Sequence, residues 1–147
     1  MNSKQEKAIR SFREGLNCAQ AVITAYSEEL GFKRDLAERI SVGFGGGMGR
    51  LQETCGAATG AFMALGLHYS NKFKDNKLRK EATYKAIQEF AARFEAANGS
   101  LSCKLLIKAD LRTDEGQRYI KENKLHDTVC EKCIKDAITI ADDLITL

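Results

Sequence analysis

Apolar residues recur along this chain at spacings of three and four, the period of a helix that turns one face to a core. Ala8, Ile9 and Phe12 form such a stripe in a first helix that Ser3 can cap and Gly15 ends. Ala21, Val22, Ala25 and Tyr26 form a second, capped by Asn17 and closed by Gly31, and a short third fits Asp35 to Val42. A fourth runs from Thr54 to Tyr69. The longest, from about Asp75 to Ala97, carries Leu78, Ala82, Ala86, Ile87, Phe90, Ala91 and Phe94 on one face. Ser102 caps a brief helix from Cys103 to Ala109, Thr113 to Gly116 open a polar helix to Asn123, and Asp127 or Thr128 caps the last. No stretch alternates with period two and β-branched enrichment. The expected architecture is all-α: one domain over residues 1–147, a helical bundle of about six to eight helices.

Composition narrows the function classes. The chain has 147 residues, 44% hydrophobic and 29% charged, enough for one core and unlike a disordered tail. Its 23 basic and 20 acidic residues are spread evenly and tryptophan is absent. A concentrated basic face with stacking aromatics is therefore missing, and nucleic acid is not an expected partner. The most apolar stretch, Ala57 to Leu67, is too short to span a bilayer, so no membrane insertion is expected. The opening residues lack the pattern of a secretory signal, which makes the cytoplasm the expected location.

Five cysteines change the picture. In a reducing compartment they point to metal ligation, a working thiol pair or small buried hydrophobes rather than a permanent disulfide framework. Cys18, Cys55, Cys103, Cys130 and Cys133 all fall in the expected first turns of helices, where free N–H groups and the macrodipole favour the thiolate. A lone cysteine of this kind is more often core, and Cys130 and Cys133 each head an apolar helical row. The same placement five times favours chemistry, so all five are candidate catalytic thiols. Cys130 and Cys133 form a C-x-x-C without the surroundings of a thioredoxin, and no second C-x-x-C or paired histidines suggest a zinc finger. His126 could add one ligand or base, although a surface role is the better fit; His68 suits a helix-end dipole contact.

The one glycine-rich segment, Gly43 to Gly49, matches neither a dinucleotide fingerprint nor a P-loop. Gly45, Gly46, Gly47 and Gly56 could line a ligand site or an anion nest, with Arg50 supplying charge or simply solvated. Gly56, Gly60 and Ala64 form one small face of the fourth helix; for Gly60 close helix packing is the favoured reading, and for Gly56 packing and ligand room are balanced.

Cys55-Gly56-Ala57-Ala58-Thr59-Gly60, behind a glycine-rich loop, resembles the CGAxxG motif of the C_GCAxxG_C_C family of redox-active proteins, and Asn17 to Ala21 resembles its first cysteine segment. The resemblance covers nearly the whole chain. It implies a small helical protein, often encoded near transporters, with Cys18, Cys55, Cys103 and Cys130 as the characteristic thiols. Cys133 departs from the pattern, as a spare, a resolving thiol or a packing residue. A related cysteine segment in split-Soret cytochromes raises the prospect of an iron–sulfur cluster; covalent haem is not expected without C-x-x-C-H.

Two readings follow, of about equal weight. In one, the thiols carry out thiol–disulfide exchange or electron transfer with a redox partner or small molecule, Cys55 attacking. In the other, Cys18, Cys55, Cys103 and Cys130 ligate an iron–sulfur cluster or zinc. A structural or adaptor bundle with core cysteines is the third, duller class. The resemblance also suggests a link to a transporter system, and an exposed apolar helix face would suit a homodimer.

Overall fold

In the computed structural model, which describes residues 1–146, every regular element is helical. The order is α1 (Ser3–Arg13), α2 (Cys18–Thr24), α3 (Ser27–Leu30), α4 (Arg34–Ser41), a 3-10 turn (Val42–Phe44), a single turn α5 (Gly45–Met48), α6 (Gly56–Lys72), α7 (Asn76–Asn98), α8 (Cys103–Ile107), α9 (Asp114–Glu122), a π turn (His126–Cys130) and α10 (Glu131–Ile145). Among the described residues seven helices reach seven residues or more, in line with the expected six to eight. Extended pairing there is limited to one isolated bridge, Thr54 with Ser102. No described helix is long and apolar enough to cross a membrane.

Local chemistry accounts for most boundaries and for the departures. Asn2, not Ser3, caps α1, through a capping box with Gln5. Asn17 caps α2 in the same way with Gln20, as expected. The expected run from Asn17 to Gly31 is broken after Thr24, whose hydroxyl bonds back to the Gln20 carbonyl at 2.7 Å, a contact that bends helices. Neither Asp127 nor Thr128 caps the last helix. Lys124 turns left-handed, and the chain enters α10 through the π turn, where the Glu131 N–H donates to the His126 carbonyl.

The α6 helix lies at the centre, packed on α2, α7 and α10. Its first half, Gly56 to Ala61, is buried all round, as its uniformly small residues permit. Around it pack Val22 of α2, Tyr26 at the start of α3, Phe90 and Phe94 of α7, and Ile134, Ile138 and Leu144 of α10. Gly60 sits against α2 with no room for a side chain: a Cβ there would lie 2.8 Å from the Ala19 carbonyl oxygen. The packing reading of Gly60 thus fits the structure. Gly66 of the same helix faces only the Thr83 methyl, 3.9 Å from its hypothetical Cβ.

These two glycines predict opposite results. Gly60→Ala should lower stability by about 1–2 kcal/mol, backbone overlap exceeding the gain in helix propensity. Gly66→Ala should be neutral or stabilising by up to about 1 kcal/mol. Urea unfolding of the two variants checks both.

Candidate functional site

One end of the bundle is assembled from helix starts and tight loops. Cys18 is the first residue of α2, behind the Asn17–Gln20 capping box. The same two side chains tie this helix start to its surroundings, Asn17 Nδ2 donating to the Val42 carbonyl and Gln20 Nε2 to the Glu38 carbonyl. Cys55 is the N-cap residue of α6, and its N–H donates to the Leu101 carbonyl at 2.7 Å. Cys103 opens α8, its N–H donating to the Glu53 carbonyl at 2.6 Å. The bridge between Thr54 and Ser102 therefore holds Cys55 and Cys103 on adjoining strands of chain.

The glycine-rich segment is a left-handed turn. Gly46, Gly47, Met48, Gly49 and Arg50 have φ of 64°, 67°, 67°, 62° and 64°, and Gln52 follows at 58°. Side chains disfavour this hand by roughly 1–2 kcal/mol per residue, so three glycines in five keep the turn affordable. Its N–H groups close on the loop itself: Gln52 donates to the Gly46 carbonyl and Glu53 to the Gly47 carbonyl. A Cβ on Gly47 would lie 2.6 Å from the Cys103 Cβ. Gln52, turned inward, donates to the Ala109 carbonyl and accepts from the Leu111 N–H, fixing the loop after α8.

All five cysteines line one cavity of about 820 Å³, together with Gly45, Gly46, Gly47 and Gly56. Its walls are largely aliphatic, with Arg13, Arg50 and His126 also lining it. No cysteine is in a disulfide. The thiols fall into two pairs and a remainder. Cys18 neighbours Cys130 and Cys55 neighbours Cys133, with no two sulfurs at disulfide distance. Cys103 instead interacts with Gln52. Cys18 is the most accessible of the five and Cys133 is all but inaccessible. Cys133 also donates weakly to Asn98 Oδ1, at 3.9 Å.

Each pair holds one thiol inclined to ionise and one inclined to keep its proton. The neighbouring Cys18 thiol, aided by His126, pulls Cys130 down to about 6 against the effect of burial. Cys130 in turn, with burial, pushes Cys18 well up. The neighbouring Cys133 thiol lowers Cys55, and the N–H groups of Ala57 and Ala58 at the head of α6 add to it. Cys55 and burial push Cys133 up. Burial raises Cys103 to about 12. The neighbouring Cys130 holds His126 above its ordinary value. Its ring packs on Phe12, 5.7 Å between centroids.

The helix-start placement expected of all five cysteines holds for Cys18, Cys55 and Cys103 only. Cys130 ends the π turn and Cys133 lies within α10, so Cys130 draws its acidity from Cys18 and His126 rather than from a helix terminus. His126 is exposed, as expected of a surface residue, and it also stands beside Cys130. A signal was present, since residues 126, 130 and 133 follow the i, i+4, i+7 row of one helix face. The bidentate ion pair of exposed Arg13 with buried Glu131, at 2.8 and 2.9 Å beside Cys130, had no sequence signal.

The ligand set expected for an iron–sulfur cluster or zinc does not fit this arrangement. Among the described residues no three His, Cys, Asp or Glu side chains converge as a metal-ligating group. Cys103, one of the four expected ligands, stands outside both thiol pairs.

A family described as "Putative redox-active protein (C_GCAxxG_C_C)" matches residues 16–144 of the chain. No curated protein and no solved structure matches it.

The ionisation pattern sets a pH dependence. A cysteine is alkylated as its thiolate, and Cys130 gains its thiolate as pH rises through about 6. Alkylation of Cys130 by iodoacetamide, read by peptide mass spectrometry, should level off above that pH and fall steeply below it. In His126→Ala the inflection should move up toward the free-thiol value of about 8.5.

Proposed function

The chain belongs to the C_GCAxxG_C_C family of redox-active proteins, and on that premise we propose that it performs thiol–disulfide exchange at Cys130 and Cys18. The observation that carries the reading is the placement of Cys130, Cys18 and His126 side by side on the wall of one cavity. A thiolate beside a second thiol and a proton carrier is what the two steps of exchange require.

In the first step the Cys130 thiolate attacks one sulfur of a substrate disulfide. A Cys130–substrate bond forms, the substrate S–S bond breaks, and the leaving thiolate takes a proton from the His126 imidazolium. In the second, Cys18 gives its proton to His126 and attacks Cys130 Sγ, expelling the other substrate half as a thiolate that is then protonated from solvent. The substrate gains two electrons and becomes two thiols, and Cys18 and Cys130 become a disulfide. A thiolate near neutral pH that is not too weak a nucleophile is the effective attacking group, and Cys130 at about 6 lies close to that range. The volume and the apolar part of the lining suit a small disulfide with an apolar body, and Arg50 is the lining cation outside the Arg13–Glu131 ion pair.

Blocking the second step should trap the first. Cys18→Ser incubated with oxidised glutathione under anaerobic conditions should accumulate a mixed disulfide at Cys130, detected as a mass increase on the peptide that carries it. Cys130→Ser should lose exchange by at least about tenfold. Adduct formation only at Cys103, or none at all, would sink the proposal.

A further inference from the structure

Two thiol pairs in one cavity raise the question of why exchange at Cys130 and Cys18 needs the second pair. Cys55 and Cys133 belong to the main core and Cys130 to the smaller cluster around Ile107, Leu111 and Ile120, with Cys133 the least exposed of the three. The pairs are nonetheless joined at two points. Cys130 and Cys133 are one turn apart on the same continuous π–α helix. Cys18 and Cys55 meet through Gly56, where a Cβ would lie 3.2 Å from the Cys18 Cβ and 3.1 Å from the Ala19 nitrogen. The four thiols thus lie around one cavity as a four-cornered figure, joined by a helical turn on the Cys130–Cys133 side and by the close approach at Gly56 on the Cys18–Cys55 side. Gly56 lets α6 bring its N-cap thiol alongside the first residue of α2.

Resting on the exchange reading above, we infer that Cys55 and Cys133 form a second, internal redox pair that accepts the oxidising equivalents from Cys18 and Cys130. The Cys55 thiolate attacks Cys18 Sγ; a Cys18–Cys55 bond forms and the Cys18–Cys130 bond breaks, releasing Cys130 as a thiolate. Cys133 then attacks Cys55 Sγ, forming Cys55–Cys133 and expelling Cys18, which takes up the proton that Cys133 gives off. Charge and protons balance: one thiolate and one thiol enter as Cys55 and Cys133, and one thiolate and one thiol leave as Cys130 and Cys18. No external oxidant or reductant enters this step, since the substrate disulfide has already supplied the oxidation.

Direction follows from the ends of the figure. The best leaving thiol is the most acidic one, and Cys130 with His126 beside it fills that place. Cys55 has its helix-head N–H groups to hold the attacking charge. The internal disulfide is then shielded by the core while the outer pair is reset for a second substrate, so the protein holds four electrons as dithiols rather than two. Cys133, which departs from the family pattern, is the residue that makes this capacity available.

Order of appearance tests the inference in the unmodified protein. Reduced protein is mixed anaerobically with one equivalent of oxidised glutathione, quenched with acid at intervals and mapped by peptide mass spectrometry. The Cys18–Cys130 disulfide should appear first and decline as Cys55–Cys133 grows. With excess oxidised glutathione both disulfides should form, and in Cys133→Ser no Cys55–Cys133 product can, so uptake should halve. Persistence of Cys18–Cys130 in the unmodified protein would overturn the relay while leaving exchange at Cys130 intact. So would a Cys18→Ser, Cys130→Ser variant that forms Cys55–Cys133 at the unmodified rate. Failure of exchange itself is read separately, as absence of the Cys130 adduct in Cys18→Ser.

Discussion

Backbone against backbone, where α6 meets α2 at Gly56 and Gly60, is the contact on which the site depends. Gly60 has no room for a methyl group beside Ala19, and at Gly56 one would fit only if its neighbours gave way slightly. The close approach places the N-cap of α6 beside the first residue of α2, and so puts Cys55 next to Cys18. The α10 helix lies across both and brings Cys130 and Cys133 to the same side. Helices separated by ordinary side chains stand 8–10 Å apart, too far for thiols at two helix starts to meet in this way. Small residues in α6 therefore serve the site through packing, and Gly56 also lines the cavity.

The loop before α6 contributes through its handedness. A left-handed turn from Gly46 to Arg50 folds Gln52 back so that its amide spans two backbone groups near the end of α8. With the Thr54–Ser102 bridge, this fixes Cys103 and Cys55 relative to each other. Cys103 is held firmly but without a thiol partner, and burial keeps its proton in place. A thiol so protonated packs as a small apolar group in this wall of the cavity.

Helices were legible in the sequence because their signals are local: stripes of Ala, Val, Ile and Phe, the caps Asn17, Asp75, Ser102 and Thr113, and the glycine stops. The gathering of cysteines was legible in part, because helix-start placement gives their positions along the chain but not their pairing. Pairing depends on how α6, α2 and α10 cross, and no single segment encodes that. The π turn was not legible: one additional residue in a helical turn leaves the apolar period nearly unchanged, yet it removes the expected cap at Asp127 or Thr128. Cys133 stood beside the family pattern as a spare, a resolving thiol or a packing residue, and its nearness to Cys55, like that of His126 to Cys130, comes from partners distant in the chain or across a helical turn.

The first helix shapes the cavity although it precedes the family-matched region. The match starts at residue 16, whereas Phe12 packs on His126 and Arg13 grips Glu131 from α1. Both α1 residues also line the cavity. Thiols and part of the vestibule thus come from separable stretches of sequence, and the leading helix reaches the sulfur chemistry at second hand, through His126 and Glu131 beside Cys130.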